Sequence, residues 1–564
     1  MNDSTTLASS VLSALLRAGV TDVVLAPGSR SAALALALEQ ADARELVRLH
    51  VRVDERTAGF LALGLAKGSH RLVAVLTTSG TAVANLHPAV LEATHAGERL
   101  LVLSADRPAA LRHTGANQTT DQAGIFGGRV PCTDVAPNEA FRVADAIEQA
   151  VRRRGPSHVN LQFDDPLLPD EPLLDEPLVT PASASAAHPV KAGDALARPQ
   201  LRRPDGSVRL EIGPRTVVVA GDDAGPPARL LAQHANWPLL AEPTSGARTG
   251  THALRTYRLL LAGELGGQVE RVVVTGHPTL SRPVTRMISR SDIEVFSVRG
   301  PGGVCTDPGR VARHVDSMPL VDGADDDDWA EAWRSADRRM SRAVDAVAAG
   351  RGGLPLRVAA EIAAAVAPEA LLTVGSSQPI RDFDVMAAPF EAGQRRLVIA
   401  NRGLAGIDGT LSTAIGAALG RSSSRALAYV GDLTFLHDAN ALILGPREPR
   451  PDLTIVVAND DGGAIFSTLE QGGPAYAESF ERVFGTPHGV RIESWCEATR
   501  TAYERVDDAT GLRAALATEA PGIRVVEVPL DRSLRRSLDE RLRALAAIPD
   551  RKNDQESSYP HQAE

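Results

Sequence analysis

Short, continuously apolar runs alternate with stretches whose apolar residues recur every three or four positions. "TDVVLAPG", "RLHVRVD", "RLVAVLTTSG" and "RLLVLSADRP" read as buried strands, with "SRSAALALALEQ", "ERTAGFLALGLAKG" and "TAVANLHPAVLEATHAG" as the helices between them. Strand and helix in strict alternation predict an α/β domain, a parallel sheet flanked by helices. In such a sheet the crossovers are right-handed and ligands gather at the carboxyl ends of the strands. The turns "APGSRS", "VDERTAG", "TSGTAVAN" and "SADRP" are therefore expected on one rim.

The same pattern returns twice. "RTVVVAGDDAGPPARLLAQ" and "ERVVVTGHPTLSRPVTRMI" are strand-turn-helix units of a smaller α/β block ending near the acidic "VDGADDDDWAEAW". A third block starts around Leu356 and runs to "IRVVEVPLD", and it resembles the first in architecture. Between the first two, "DEPLLDEPLVTPASASAAHPVKAG" lacks periodicity and reads as a linker, and "RKNDQESSYPHQAE" reads as a disordered polar tail. The expected division is residues 1–178, 194–325 and 340–546, with 547–564 as the tail.

Composition narrows the class. The chain has 564 residues, 43% of them hydrophobic and 23% charged, and carries a net charge of -10, which describes a soluble globular protein and argues against nucleic-acid binding. No apolar run is long enough for a membrane span, and the N-terminus has no secretory pattern. Cys132, Cys305 and Cys496 are odd in number and far apart, which fits neither a disulfide framework nor a zinc site and suggests a reducing cytoplasm. Lys67, Lys191 and Lys552 are the only lysines, and none is placed for a Schiff base. Arginine must then do any anion binding, and its planar fork suits carboxylates.

The sharpest chemical signal lies in the third block. "ALAYVGDLTFLHDANALILG" is a strand ending in Gly431-Asp432 and entering a helix at once, and the next strand ends in "VVANDD". Turn chemistry alone would explain Asn459, Asp460 and Asp461. Together, however, a glycine turn at a helix start and oxygen ligands from two neighbouring strand ends suit a diphosphate held by a hard cation such as Mg²⁺.

These residues resemble the thiamine-diphosphate motif, and Glu55 in "VDERTAGFLALG" sits where such enzymes carry an activating glutamate. The strings "APGSRS", "DERTAGFLALGLAKG", "TSGTAVANLHPAV", "SADRP", "TGANQT", "NRGLAGIDGTLSTAIG" and "VGDLTFLHD" are similar to the 2-succinyl-5-enolpyruvyl-6-hydroxy-3-cyclohexene-1-carboxylate synthases of menaquinone biosynthesis, over residues 1 to about 545. The resemblance is weakest in the middle block. It implies a three-domain thiamine-diphosphate-enzyme architecture and a reaction of 2-oxoglutarate, after decarboxylation, with isochorismate. The implied cofactors are thiamine diphosphate and Mg²⁺, with Mn²⁺ as an alternative. The implied assembly is a cytoplasmic homodimer or homotetramer in which the glutamate domain of one subunit faces the diphosphate domain of another.

The resemblance also assigns residues. Glu55 would hydrogen-bond the cofactor's pyrimidine ring and favour its imino tautomer. Ile407 would fold the cofactor, beside Gly406, Gly431, Leu433 and Ser377. Ser29, Arg30, Arg107, Asn117 and Gln118 from the first domain, Arg282 from the middle and Arg381 and Arg402 from the last would hold substrate carboxylates. Ile465, Phe466 and Leu469 would form an apolar wall. The metal ligands would be Asp432, the Gly462 carbonyl and one residue of the "NDD" turn. Spacing from Ile465 selects Asp460 and spacing from Asp432 selects Asn459. The tight turn is the better ruler, so Asp460 is expected as ligand, Asn459 as a brace and Asp461 in solvent. Two rivals remain: an acetolactate synthase or 2-oxo-acid decarboxylase, which would not need the arginine set, and a noncatalytic protein on the same fold, which would not need Glu55 and Asp432.

Overall fold

The computed structural model describes residues 2–168 and 208–546, so the expected linker at 170–193 and the tail at 547–564 lie outside the described residues. Three parallel sheets follow one another along the chain. The first comprises Asp22–Leu25, Arg48–Val51, Val73–Thr77, Leu100–Asp106, Cys132–Val135 and Ser157–Gln162. Counted in chain order, its strands lie 2-1-3-4-6-5 across the sheet. The third sheet, from Leu371–Val374 to Ile523–Pro529, has the same order, and the five-stranded middle sheet reads 2-1-3-4-5. All ladders within these sheets are parallel. Each order reverses direction between its strands 1 and 3, the crevice where doubly wound sheets bind ligands.

Sequence dictates how the first and third sheets are joined. The helix Glu55–Ser69 starts on Asp54, whose Oδ1 accepts from the Arg56 and Thr57 N–H groups at 2.8 and 3.3 Å. From Thr57 to Gly68 every residue is buried, the condition of a helix that is apolar all round. It lies against the helix Thr410–Gly420, and both carry glycine at the crossing. A Cβ on Gly64 would stand 2.2 Å from the Thr413 carbonyl oxygen, and one on Gly416 would stand 2.2 Å from that of Leu61. The two backbones therefore touch, and one apolar core runs through both sheets, from Val24 and Phe60 to Ile415 and Val457.

The middle and third sheets are joined by charge instead. Buried Arg248 donates to Asp384 Oδ1 and to the Ala387 carbonyl, both at 2.8 Å, and the Tyr257 hydroxyl reaches the same Asp384 oxygen at 3.2 Å. Removing one partner of such a pair would strand a buried charge. Among the described residues no helix is long and apolar enough to cross a membrane.

Candidate functional site

At the reversal point of the third sheet the strand Leu371–Val374 leads to Ser377, and the strand Ala426–Gly431 leads to Asp432. Between them lies a cavity of about 120 Å³ lined by Ser377, Ile407, Asp432, Asp460, Ile465 and Phe466, with Gly431, Leu433 and Gly462 also at its wall. Asp432 begins the short helix Asp432–His437 and is 2% exposed. Its Oδ1 accepts from the Leu433 N–H at 2.8 Å and its Oδ2 from the Gly462 N–H at 2.6 Å. His488 Nε2 lies 2.9 Å from the same Oδ2. Because Val490 N–H donates to His488 Nδ1 at 2.9 Å, the ring proton is on Nε2 and His488 is the donor.

The three polar residues of the "NDD" turn part company. Asn459 is consumed by protein, its Nδ2 donating to Glu527 Oε1 at 2.7 Å and its Oδ1 accepting from the Asp461 N–H at 3.0 Å. Asp460 points inward. Its Oδ1 is buried with no hydrogen-bond partner among the described residues, and burial together with the neighbouring Asp432 charge pushes its carboxyl up to about 8. Asp461, expected in solvent, is half exposed and anchors a loop by accepting from the N–H groups of His488 and Gly489 at 3.1 and 2.9 Å. Gly462 has φ +140°, and a Cβ there would meet the Gly485 carbonyl oxygen at 2.0 Å, so this turn needs glycine.

Two arginines that sequence reasoning passed over reach this cavity. Arg532 donates to the Asp460 and Asp461 carbonyls and pairs with Glu481 at 2.5 Å. Arg535 makes a buried two-pronged pair with Asp382, 2.7 Å on each side. Their string, "DRSLRRSLDE", looks like an ordinary solvated helix start and carries no local signal.

Beside the cavity three guanidiniums converge. Arg381 donates to the Ser377 carbonyl at 2.6 Å, and Arg258 donates to the Arg381 carbonyl at 2.9 Å. Burial, then the Arg258 and Arg402 charges, push Arg381 down to about 10. On the first sheet's rim, Arg107 donates to Ser79 Oγ and, at 2.8 Å, to the Gln118 carbonyl, while Gln118 Nε2 returns to the Ser79 carbonyl at 2.9 Å. Burial and the nearby Arg30 charge lower Arg107 from its ordinary value. Arg30 itself donates to the Phe163 carbonyl at 3.1 Å, and Ser29 and Asn117 are exposed on the same rim.

Comparison with known proteins settles the relationship. The family described as thiamine pyrophosphate enzyme, N-terminal TPP binding domain, matches residues 5–125, and its C-terminal TPP binding domain counterpart matches residues 383–528. A protein of Nocardioides sp. named 2-succinyl-5-enolpyruvyl-6-hydroxy-3-cyclohexene-1-carboxylate synthase is 55% identical over 553 residues, 96% of this chain and 98% of the relative. The chain belongs to this synthase family. Relatives with the same name in Kineococcus radiotolerans and Nocardia farcinica are 46% and 43% identical, over 96% and 97% of this chain and 99% and 100% of theirs.

Not every residue expected for a member of this synthase family is gathered into one place. Gly406 lines a separate cavity with Phe60, His87 and Asp408, and Leu469 is not at the wall of the Asp432 cavity. Arg282 is exposed and tied to Glu470 at 2.7 Å, which holds the Glu470 carboxyl down to about 2. No residue of the first sheet lines the Asp432 cavity. Glu55 starts its helix elsewhere, accepting from Asn85 at 3.4 Å, while the adjacent Arg56 donates to the carbonyl of His437, the last residue of the Asp432 helix.

Proposed function

We propose that the chain carries out the thiamine-diphosphate-dependent decarboxylation of 2-oxoglutarate and joins the remaining four-carbon unit to isochorismate, giving 2-succinyl-5-enolpyruvyl-6-hydroxy-3-cyclohexene-1-carboxylate for menaquinone biosynthesis. The observation that carries this reading is the pair Asp432 and Asp460. Two neighbouring carboxylates, Asp432 buried and Asp460 half-buried with a buried, unpartnered oxygen at the cavity, ask for a cation. Among the described residues no group of three or more His, Cys, Asp or Glu is placed to hold a metal. That suits an ion which takes few protein ligands and completes its shell with substrate phosphate and water, as Mg²⁺ does. Asp432, Asp460 and the Gly462 carbonyl would hold Mg²⁺ or Mn²⁺.

Bound thiamine diphosphate supplies the ring system that accepts the electron pair released when a 2-oxo acid loses CO₂. The chain's residues do the rest. Glu55 would hydrogen-bond the cofactor's pyrimidine ring and hold a proton there, Ile407 would pack against the cofactor, and Ile465 and Phe466 would keep water away. Arg30, Arg107, Arg282, Arg381 and Arg402, with Ser29, Asn117, Gln118 and Ser377, hold the substrates' carboxylates and hydroxyls.

Because Glu55 stands outside its own chain's Asp432 cavity, a second copy would bring the glutamate of residues 1–178 to the diphosphate site of residues 340–546, so the active form is at least a homodimer. Residues 194–325 would complete the wall with Arg282. The three unpaired cysteines fit a cytoplasmic enzyme. The test is direct: protein with Mg²⁺, thiamine diphosphate, 2-oxoglutarate and isochorismate should release CO₂ as isochorismate absorbance falls. Either signal persisting without thiamine diphosphate overturns the reading.

A further inference from the structure

The middle sheet touches the arginine cluster at a residue for which the reaction has no role so far. Glu242 follows the strand Leu239–Ala241 and is 2% exposed. Its two oxygens accept from successive backbone N–H groups, Thr279 at 3.3 Å and Leu280 at 2.8 Å. These belong to the turn that follows the strand Arg271–Thr275 and leads to Arg282. The same turn grips Arg402. Arg402 Nη2 donates to Thr279 Oγ1 at 2.6 Å, and the His277 ring meets the Arg402 backbone. Arg402 is 2% exposed, and its Nε has no partner among the described residues. A buried guanidinium with an idle donor is poised for an anion, and its direction is only as firm as the turn that holds it.

We propose that Glu242 is a positioning residue for substrate binding: it fixes the 277–280 turn and balances the Arg402 charge, so that the free donors of Arg402 meet a substrate carboxylate. This rests on the reading of Arg402 as a carboxylate ligand. The charges around Glu242 are consistent with the role. Burial pushes its carboxyl up to about 7; Arg402 and the two N–H groups oppose that rise, and Asp384 adds to it. Asp384 is itself paired with Arg248 and Arg258, and Tyr257 faces both carboxylates. Protonation would remove one acceptor from the turn and the counter-charge from Arg402, so the turn should loosen as pH falls through about 7.

The experiment is a double-mutant cycle on the full-length enzyme with Mg²⁺ and thiamine diphosphate, using E242Q, R402K and both together. E242Q should raise, about fivefold or more, the KM of whichever carboxylate substrate R402K affects, while kcat stays within about twofold and calorimetric thiamine-diphosphate affinity is unchanged. The double variant should be no worse than R402K within about twofold, because one residue acts through the other. Wild-type kcat/KM for that substrate should fall as pH drops through about 7, a limb that E242Q lacks. If E242Q does not fold, T279V, which removes only the hydroxyl that holds Arg402, should give the same KM rise. Effects of E242Q and R402K that multiply, an unchanged KM in E242Q, or an unchanged pH limb would overturn the proposal alone. R402K without effect on either KM would overturn the Arg402 assignment, and the Glu242 role with it.

Discussion

The first and third sheets share the strand order 2-1-3-4-6-5 yet present opposite chemistry at their reversal points. The third sheet gathers acids there, buried Asp432 and half-buried Asp460, around a cavity. The first gathers cations and amides, with Arg107, Ser79 and Gln118 bonded to one another. The backbone architecture therefore sets where a ligand can sit, and a handful of turn residues sets which one. The same contrast extends to buried titratable groups. His158 in the first sheet is pushed down to about 4 by burial, whereas burial pushes Asp438, beside the third sheet, up to about 7.

The comparison breaks most visibly if the third sheet's acids are removed. Asp432→Ala or Asp460→Ala should abolish Mg²⁺-dependent thiamine-diphosphate binding in calorimetric titration, and Asp460→Asn should largely retain it. If Asn459→Ala loses binding while Asp460→Ala keeps it, the cation has been assigned to the wrong residue. Next in size, Glu55→Gln should slow exchange of the cofactor's thiazolium C2 proton by about 10² or more with little change in cofactor affinity. Quenched deuterium incorporation reads this, and exchange at the wild-type rate would remove Glu55 from the chemistry.

The first sheet's cations are tested by Arg107→Ala, with Arg381→Ala as its counterpart on the third. Each should cost about 2–4 kcal/mol in kcat/KM, since a desolvated carboxylate loses its partner, while cofactor binding survives. Changes below about twofold in both would make these arginines bystanders.

The smallest effect is on stability. His158 stays neutral in the fold, so between its unfolded value of 6.5 and about 4 the unfolded chain binds more protons. Its contribution is full above 6.5 and is lost as pH falls, by about 2 kcal/mol between pH 7 and 5. Asp438, with its carboxyl raised, has the opposite sign: its ionisation costs stability as pH rises from its ordinary 3.8 towards about 7. Denaturant titrations at the two pH values should show a shallower acid loss in His158→Gln, and an equal loss in both proteins would sink the assignment.

What could be read from the chain beforehand was whatever is written in consecutive residues. Strand and helix alternation predicts the parallel sheets, and "VGD" followed by "ANDD" points to the cavity where Asp432 and Asp460 meet. Arg532 and Arg535 were not legible, because a charged helix start looks the same whether its guanidiniums reach water, a backbone carbonyl or a buried carboxylate. Asp461 is exposed as expected, but its anchoring role was hidden for a related reason. Its partners, the N–H groups of His488 and Gly489, arrive from a loop far along the chain, and nothing in the local turn announces them. Glu242 was invisible too, since a single acid after a strand gives no hint of the turn it ties down.

The glycine crossing of the Glu55 and Thr410 helices has a bearing on cooperativity. Gly68 and Gly420 repeat the arrangement one turn further along, where added Cβ atoms would stand 2.5 and 2.7 Å from the carbonyl oxygens of Ala417 and Leu65. Helices seated backbone to backbone at several successive turns have no room to slide, and both are part of the one apolar core that runs through the first and third sheets. Two domains far apart in sequence should therefore melt as one calorimetric unit. Any give needed for substrates to enter would then fall to the middle domain's exposed Arg282–Glu470 bridge and the loops that Asp461 anchors.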